Sequence, residues 1–166
     1  MNLNELRDKI HENAKSKGFY NHSDWISEQL LPAQQIQFKH AFFAQQIALT
    51  HSELGEALEA DRKCYTADTD RMYSLIAERR KQIQEMLSDK ILVRPHTYFE
   101  AKEETEQKTF NDFFEICVKS SVEDELADAL IRILDICGYN EIDIEKHVEL
   151  KMKYNENREY LHGKNY

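Results

Sequence analysis

The chain has 166 residues, with 31 Asp and Glu against 22 Lys and Arg, a net charge of −9, and only 4 glycines and 2 prolines. That length suits one domain burying ~70% of its unfolded surface, so neither disulfides nor a structural metal are needed for a core. Scarce Gly and Pro argue against a turn-rich β-sandwich, and the acidic balance argues against duplex nucleic acid, whose nonspecific binding is driven by neutralised phosphates.

Leu, Glu, Lys, Gln and Ala recur throughout, and all are good helix formers. The expected fold class is all-α, a helical bundle. Cys64, Cys117 and Cys137 are scattered with no CxxC, as expected of reduced thiols in a cytoplasmic protein. No apolar run approaches the ~20 residues of a membrane helix, so no membrane partner is expected. The segment 1–10 carries Glu5 and Asp8 and lacks the apolar centre of a signal peptide.

In chain order, Asn2 or Asn4 is placed to cap a first helix ending near Gly18. A polar-aromatic loop follows, in which Phe19, Tyr20 and Trp25 are candidates to stack on a base. Pro32 opens a long helix to about Arg62, since its missing N–H costs nothing in the first turn. Ile47, His51, Leu54 and Leu58 recur there at helical spacing. Thr66 or Asp68 caps a helix over about 68–90, with Met72, Ile76, Ile83 and Leu87 as its apolar stripe and the polar Arg79 in the middle. Val93-Arg94-Pro95 breaks the pattern. Thr97-x-x-Glu100 and Ser120-x-x-Glu123 have the capping-box form, opening helices to about Val118 and from Val122 to Cys137. Gly138 is a C-cap candidate, and Asp143 caps a last helix to about Tyr160. Five or six helices are expected.

Two carboxylate pairs stand out, Glu53-x-x-Glu56 and Glu125-x-x-Asp128. Residues three apart on a helix are surface neighbours, ~5–6 Å between Cβ atoms, so like charges repel there. A divalent cation relieves that repulsion, and Mg²⁺ prefers such hard oxygen ligands. Small residues flank the acids. Gly55 costs the helix ~1 kcal/mol relative to alanine, which the close approach of a helix or ligand would offset. Ser121, Glu125, Asp128, Arg132 and Asp135 form one polar stripe opposite Leu126, Leu130, Ile133, Leu134 and Cys137, suiting either a solvent face or a polar cleft. Near these faces Glu59, Asp124 and Asp135 read equally well as plain surface. Lys151, Asn155 and Arg158 share a face at i, i+4, i+7, with donors that suit phosphate oxygens or a helix C-terminus.

Glu53-Leu-Gly-Glu56, Glu123-Asp-Glu125-Leu-Ala-Asp128 and Lys151-x-Lys153-Tyr-Asn155-x-x-Arg158, followed by His162-Gly163-Lys164, resemble in this order the MazG-like nucleotide pyrophosphohydrolases of the all-α NTP pyrophosphatase superfamily. The segment from His11 to Phe19 looks like a phage or bacterial subgroup. The resemblance covers about 1–62 and 110–166. It implies a bundle of the MazG-like type that assembles as a homodimer or higher homo-oligomer. It also implies Mg²⁺, with Mn²⁺ as substitute, and cleavage of nucleoside triphosphates to monophosphate and pyrophosphate. The implied metal ligands are Glu53, Glu56, Glu125 and Asp128, with Glu53 or Glu56 as the base. The implied phosphate contacts are Lys151, Lys153, Asn155 and Arg158, and Trp25 is a substrate-binding candidate.

The chain departs from the family pattern in one place. Sixty-eight residues separate Glu56 from Glu125, so 63–110 reads as an inserted helical hairpin within a single domain, 1–166. The rival from another class is a non-catalytic acidic helical protein that binds a partner; a further alternative is a hydrolase of a modified nucleotide or alarmone. A di-iron bundle needs two Glu-x-x-His motifs, and only Glu159-x-x-His162 fits. Zinc-site spacing and a Walker A loop are absent.

Overall fold

The structure, a computed structural model, describes residues 2–88 and 95–156, with side chains at 2–85 and 105–156. Among these residues it is all-α, with seven helices: α1 (Leu3–Ser16), α2 (Asn21–Gln29), α3 (Pro32–Arg62), α4 (Thr69–Ser88), α5 (Pro95–Cys117), α6 (Val122–Tyr139) and α7 (Ile144–Glu156). No described helix is long and apolar enough to cross a membrane. The chain divides into two compact units, 1–52 with 128–166, and 53–127.

Local signals explain most boundaries. Asn2 caps α1 in a capping box with Glu5. Gly18 (φ 81°) then accepts the left-handed geometry that ends it, with Phe19 N–H donating to Ala14 O and Gly18 N–H to Lys15 O. Pro32 opens α3 as expected. Asp68 caps α4, its carboxylate accepting from Arg71 N–H, and Asp143 caps α7, accepting from Lys146 N–H. Asn4, the other cap candidate for α1, instead donates to Asp143 at 2.8 Å.

Four expectations are corrected. The aromatic loop is helix α2: Asp24 N–H donates to Tyr20 O, the Ser23 hydroxyl donates to the same carbonyl, and no Gly or Pro interrupts 21–29. Trp25 therefore lies on a helix. The capping serine of α6 is Ser121, whose hydroxyl accepts from Asp124 N–H, while Asp124 accepts from Ser120 N–H; Glu123 is drawn off to Ala67 N–H. Gly138 does not end α6. A Schellman pair does, with Ile142 N–H to Cys137 O and Glu141 N–H to Gly138 O, and Glu141 takes the positive φ of 55°. Gly138 is instead a close-approach residue, since a Cβ there would lie 2.6 Å from His11 Cβ. Gly55 shows the reverse: nothing lies within 4 Å of its would-be Cβ.

In the unit 1–52 with 128–166, α1 and α7 are tied by the Asn4–Asp143 bond and by Arg7, which donates to Ile142 O at 2.6 Å. Beneath them Tyr20, Phe42 and Tyr139 pack ring on ring, Tyr20 and Tyr139 stacked at 4.9 Å. In the unit 53–127, Met72, Ile76, Cys117 and Val118 form the core, with Leu75, Phe113 and Phe114 against it. The hairpin read at 63–110 is thus α4 packed on α5. Met72 and Ile76 are buried as expected, Ile83 is half-buried and Arg79 is exposed. The Thr97 and Glu100 side chains, the break at 93–94 and the side chain of Leu87 lie outside what is described.

Candidate metal centre

Two helix stretches and one loop build the site, all within 53–127. Late in α3, Glu53, Ala57 and Ala60 are buried while Leu54 and Leu58 are exposed. Early in α6, Ser121 and Glu125 are buried while Leu126 is exposed. At the start of α6 the polar stripe therefore turns inward at Ser121 and Glu125 while Asp128 is exposed, and Ala57 and Ala60 of α3 share their buried face with an acid. Carboxylate oxygens of Glu53, Glu56 and Glu125 come within 4.8 Å of one another. Glu53 is 8% exposed and Glu125 6%, whereas Glu56 opens to solvent.

An open cleft of about 490 Å³ adjoins the cluster, lined by Glu56, Glu59, Ala60, Lys63, Tyr65, Ser120 and Glu125. Glu59 and Lys63 pair across one helical turn at 3.4 Å. Hydrogen bonds fix the floor. Val122 N–H donates to Tyr65 O and Asp68 N–H to Cys117 O, and the Glu123 carboxylate receives Ala67 N–H at 2.9 Å. The Ala67 N–H holds the Glu123 carboxyl below its ordinary value, helped by its own backbone N–H and the Ser121 hydroxyl. Together these bonds set the N-terminus of α6, and with it Glu125, against the end of α3.

Of the expected site residues, three acids converge. Asp128 belongs to the other unit. Lys151, Lys153 and Asn155 are exposed on α7, with the Lys151 ammonium 4.9 Å over the Tyr154 ring. Arg158 and 162–164 lie outside the described residues. Trp25 is 59% exposed on α2, stacked near His22. Sequence reasoning missed Lys63 and Tyr65 and left Glu59 as surface. The signal for Glu59 and Lys63 was their spacing of three and seven residues from Glu56, one helix face; nothing local marked Tyr65. Comparisons with protein-family models, with curated proteins and with solved structures find no match.

Three carboxylates this close have a definite chemistry. At 4.8 Å two unit charges repel by about 0.9 kcal/mol in bulk water and about 3.5 kcal/mol at an effective dielectric of ~20. Three hard oxygen donors beside an open cleft are a ligand set that could hold a divalent cation.

Proposed function

We propose that the chain is a divalent-cation-dependent hydrolase of nucleoside triphosphates, adding water and releasing a monophosphate and pyrophosphate. The observation that carries the reading is the convergence of Glu53, Glu56 and Glu125 beside a cleft large enough for a polyphosphate. Mg²⁺, with Mn²⁺ as substitute, supplies phosphate charge neutralisation and an acidified water. Glu53 and Glu125, the buried acids, serve as anchoring ligands. Glu56, exposed at the cleft, accepts the proton of the attacking water. Lys63 offers an ammonium to phosphate oxygens at the cleft wall. Asp128, Lys151, Lys153, Asn155 and Arg158 enter this reading through the family resemblance alone.

Assembly with a second copy is part of the proposal. Ile36, Phe43 and Ile47 of α3 are all exposed and fall within about 40° of one another around the helix. So narrow an apolar seam is the pattern of helix pairing.

Product analysis tests the reaction. Canonical and modified NTPs and dNTPs are incubated with Mg²⁺ or with EDTA. Monophosphate plus pyrophosphate, lost in EDTA and reduced on the order of 10²–10⁴-fold by Glu56→Ala, is the expected result. Diphosphate plus orthophosphate overturns the cleavage position, and no turnover of any nucleotide overturns the reading.

A further inference from the structure

The unit 1–52 with 128–166 contains a second cavity, of about 530 Å³, lined by Ile10, Asn13, Ala14, Phe19, Tyr20, Gln46, Leu49, Asp128, Ile131, Arg132 and Asp135. Its size is that of pockets for small organic ligands, which combine apolar walls with a few convergent polar groups. The floor is rigid. Tyr20 is 4% exposed, and the void behind it, among Phe42, Gln46 and Tyr139, is only about 10 Å³. Asp135 is held from two sides, by His11 Nδ1 at 2.8 Å and by the Tyr20 hydroxyl, which donates to it. Burial, that bond and the Asp135 charge push the Tyr20 phenol far above its ordinary value, so the phenol keeps its proton and its bond to Asp135. Gly138 is what lets His11 lie against α6.

Phe19 sits at the wall with its ring 75% exposed. The backbone bond that ends α1, Phe19 N–H to Ala14 O, holds it there. An uncovered aromatic ring beside a cavity is a stacking surface. Asn13 and Gln46 each bring an amide, which can donate and accept side by side. Two acids against one arginine leave no cationic excess for a phosphate.

We propose that this cavity binds a neutral planar heteroaromatic ring, a nucleobase on its sugar, stacked on Phe19 and read at its edge by Gln46 and Asn13. That the ring is a nucleobase rests on the nucleotide reading above. The stacking role thus falls to Phe19 rather than Trp25, and Gln46 and Asn13 are the specificity-determining residues.

The test uses nucleosides, which carry no phosphate, titrated calorimetrically into the full chain in EDTA. Expected is saturable binding with a preference among the four bases. Phe19→Ala should weaken it roughly 5- to 150-fold, the range of a lost base–aromatic stack, and Gln46→Leu should change the order of base preference. Circular dichroism confirms that both variants fold. No nucleoside binding at millimolar concentration overturns the proposal, as does binding unchanged in both variants. The two proposals fail separately. Nucleoside binding without triphosphate turnover keeps the pocket and removes the reaction. Triphosphate turnover without nucleoside binding keeps the reaction and removes the pocket.

Discussion

Glu53→Gln isolates the electrostatics of the acidic cluster. The substitution keeps volume but removes one of three charges within 4.8 Å of one another, and replaces an acceptor oxygen with an NH2 donor. Two repulsive pairs disappear. The bulk-water value of about 0.9 kcal/mol per pair sets a floor of about 2 kcal/mol in all, since Glu56 opens to solvent while Glu53 and Glu125 are buried. For a chain of this size that raises the metal-free midpoint by about 4–8 °C. Saturating Mn²⁺ should do the opposite to the comparison. At a hundredfold excess over Kd a ligand stabilises the unaltered protein by about 2.7 kcal/mol, and the variant, short of a buried ligand, should lose most of that gain. Thermal melts with EDTA and with Mn²⁺ read both effects at once. A variant that melts lower than the parent in EDTA, or that gains as much from Mn²⁺, would refute the idea that these acids share a cation.

The two helical glycines should respond with opposite signs. Gly138→Ala drives a methyl to 2.6 Å from His11 Cβ and should cost about 1–3 kcal/mol in urea titration, whereas Gly55→Ala meets open space and should stabilise by up to about 1 kcal/mol. A Gly55→Ala protein that is more stable yet less active would show that a ligand or a second copy approaches there. On the acid side, Glu123 and Asp143 titrate lower folded than unfolded, so their stabilisation is complete above the ordinary carboxylate range and fades as pH falls through the folded values. Urea midpoints measured from pH 6 to 3 should fall less steeply in the Glu123→Gln, Asp143→Asn double variant. At the alkaline end the raised phenols of Tyr20 and Tyr139 favour the neutral form, so stability should drop once pH exceeds about 10, where unfolded tyrosines ionise. Ultraviolet titration should show tyrosines that resist ionisation in the folded protein and titrate with the rest of the eight in denaturant.

Helix boundaries were legible wherever the cause was local. Asn2, Pro32, Asp68 and Asp143 act within one turn of themselves, and a reader of the chain sees everything they need. Glu53 and Glu56 are likewise one turn apart. Missed features needed a partner distant in sequence. Glu123 looked like half of a capping box until Ala67 claimed its carboxylate, and Gly138 looked like a helix stop until His11 occupied its missing side chain's place. The loop read between α1 and α3 failed for another reason: aromatic and polar residues do not forbid a helix, and Tyr20 O supplied the first-turn acceptor.

By itself the sequence determined that the chain is helical, where most helices begin, and which faces are polar or apolar, because 3.6-residue periodicity and caps are properties of single segments. It did not determine which face turns inward. On α6 Ser121 and Glu125 are buried while Leu126, Leu130 and Ile133 are exposed, although Leu134 and Cys137 further along are buried, and on α3 Glu53 is buried while Leu54 and Leu58 are not. A helix wheel ranks faces by hydrophobicity, but burial is set by what packs against each face. Only the tertiary structure shows Glu125 brought against the end of α3, where two separate acidic motifs become one cluster.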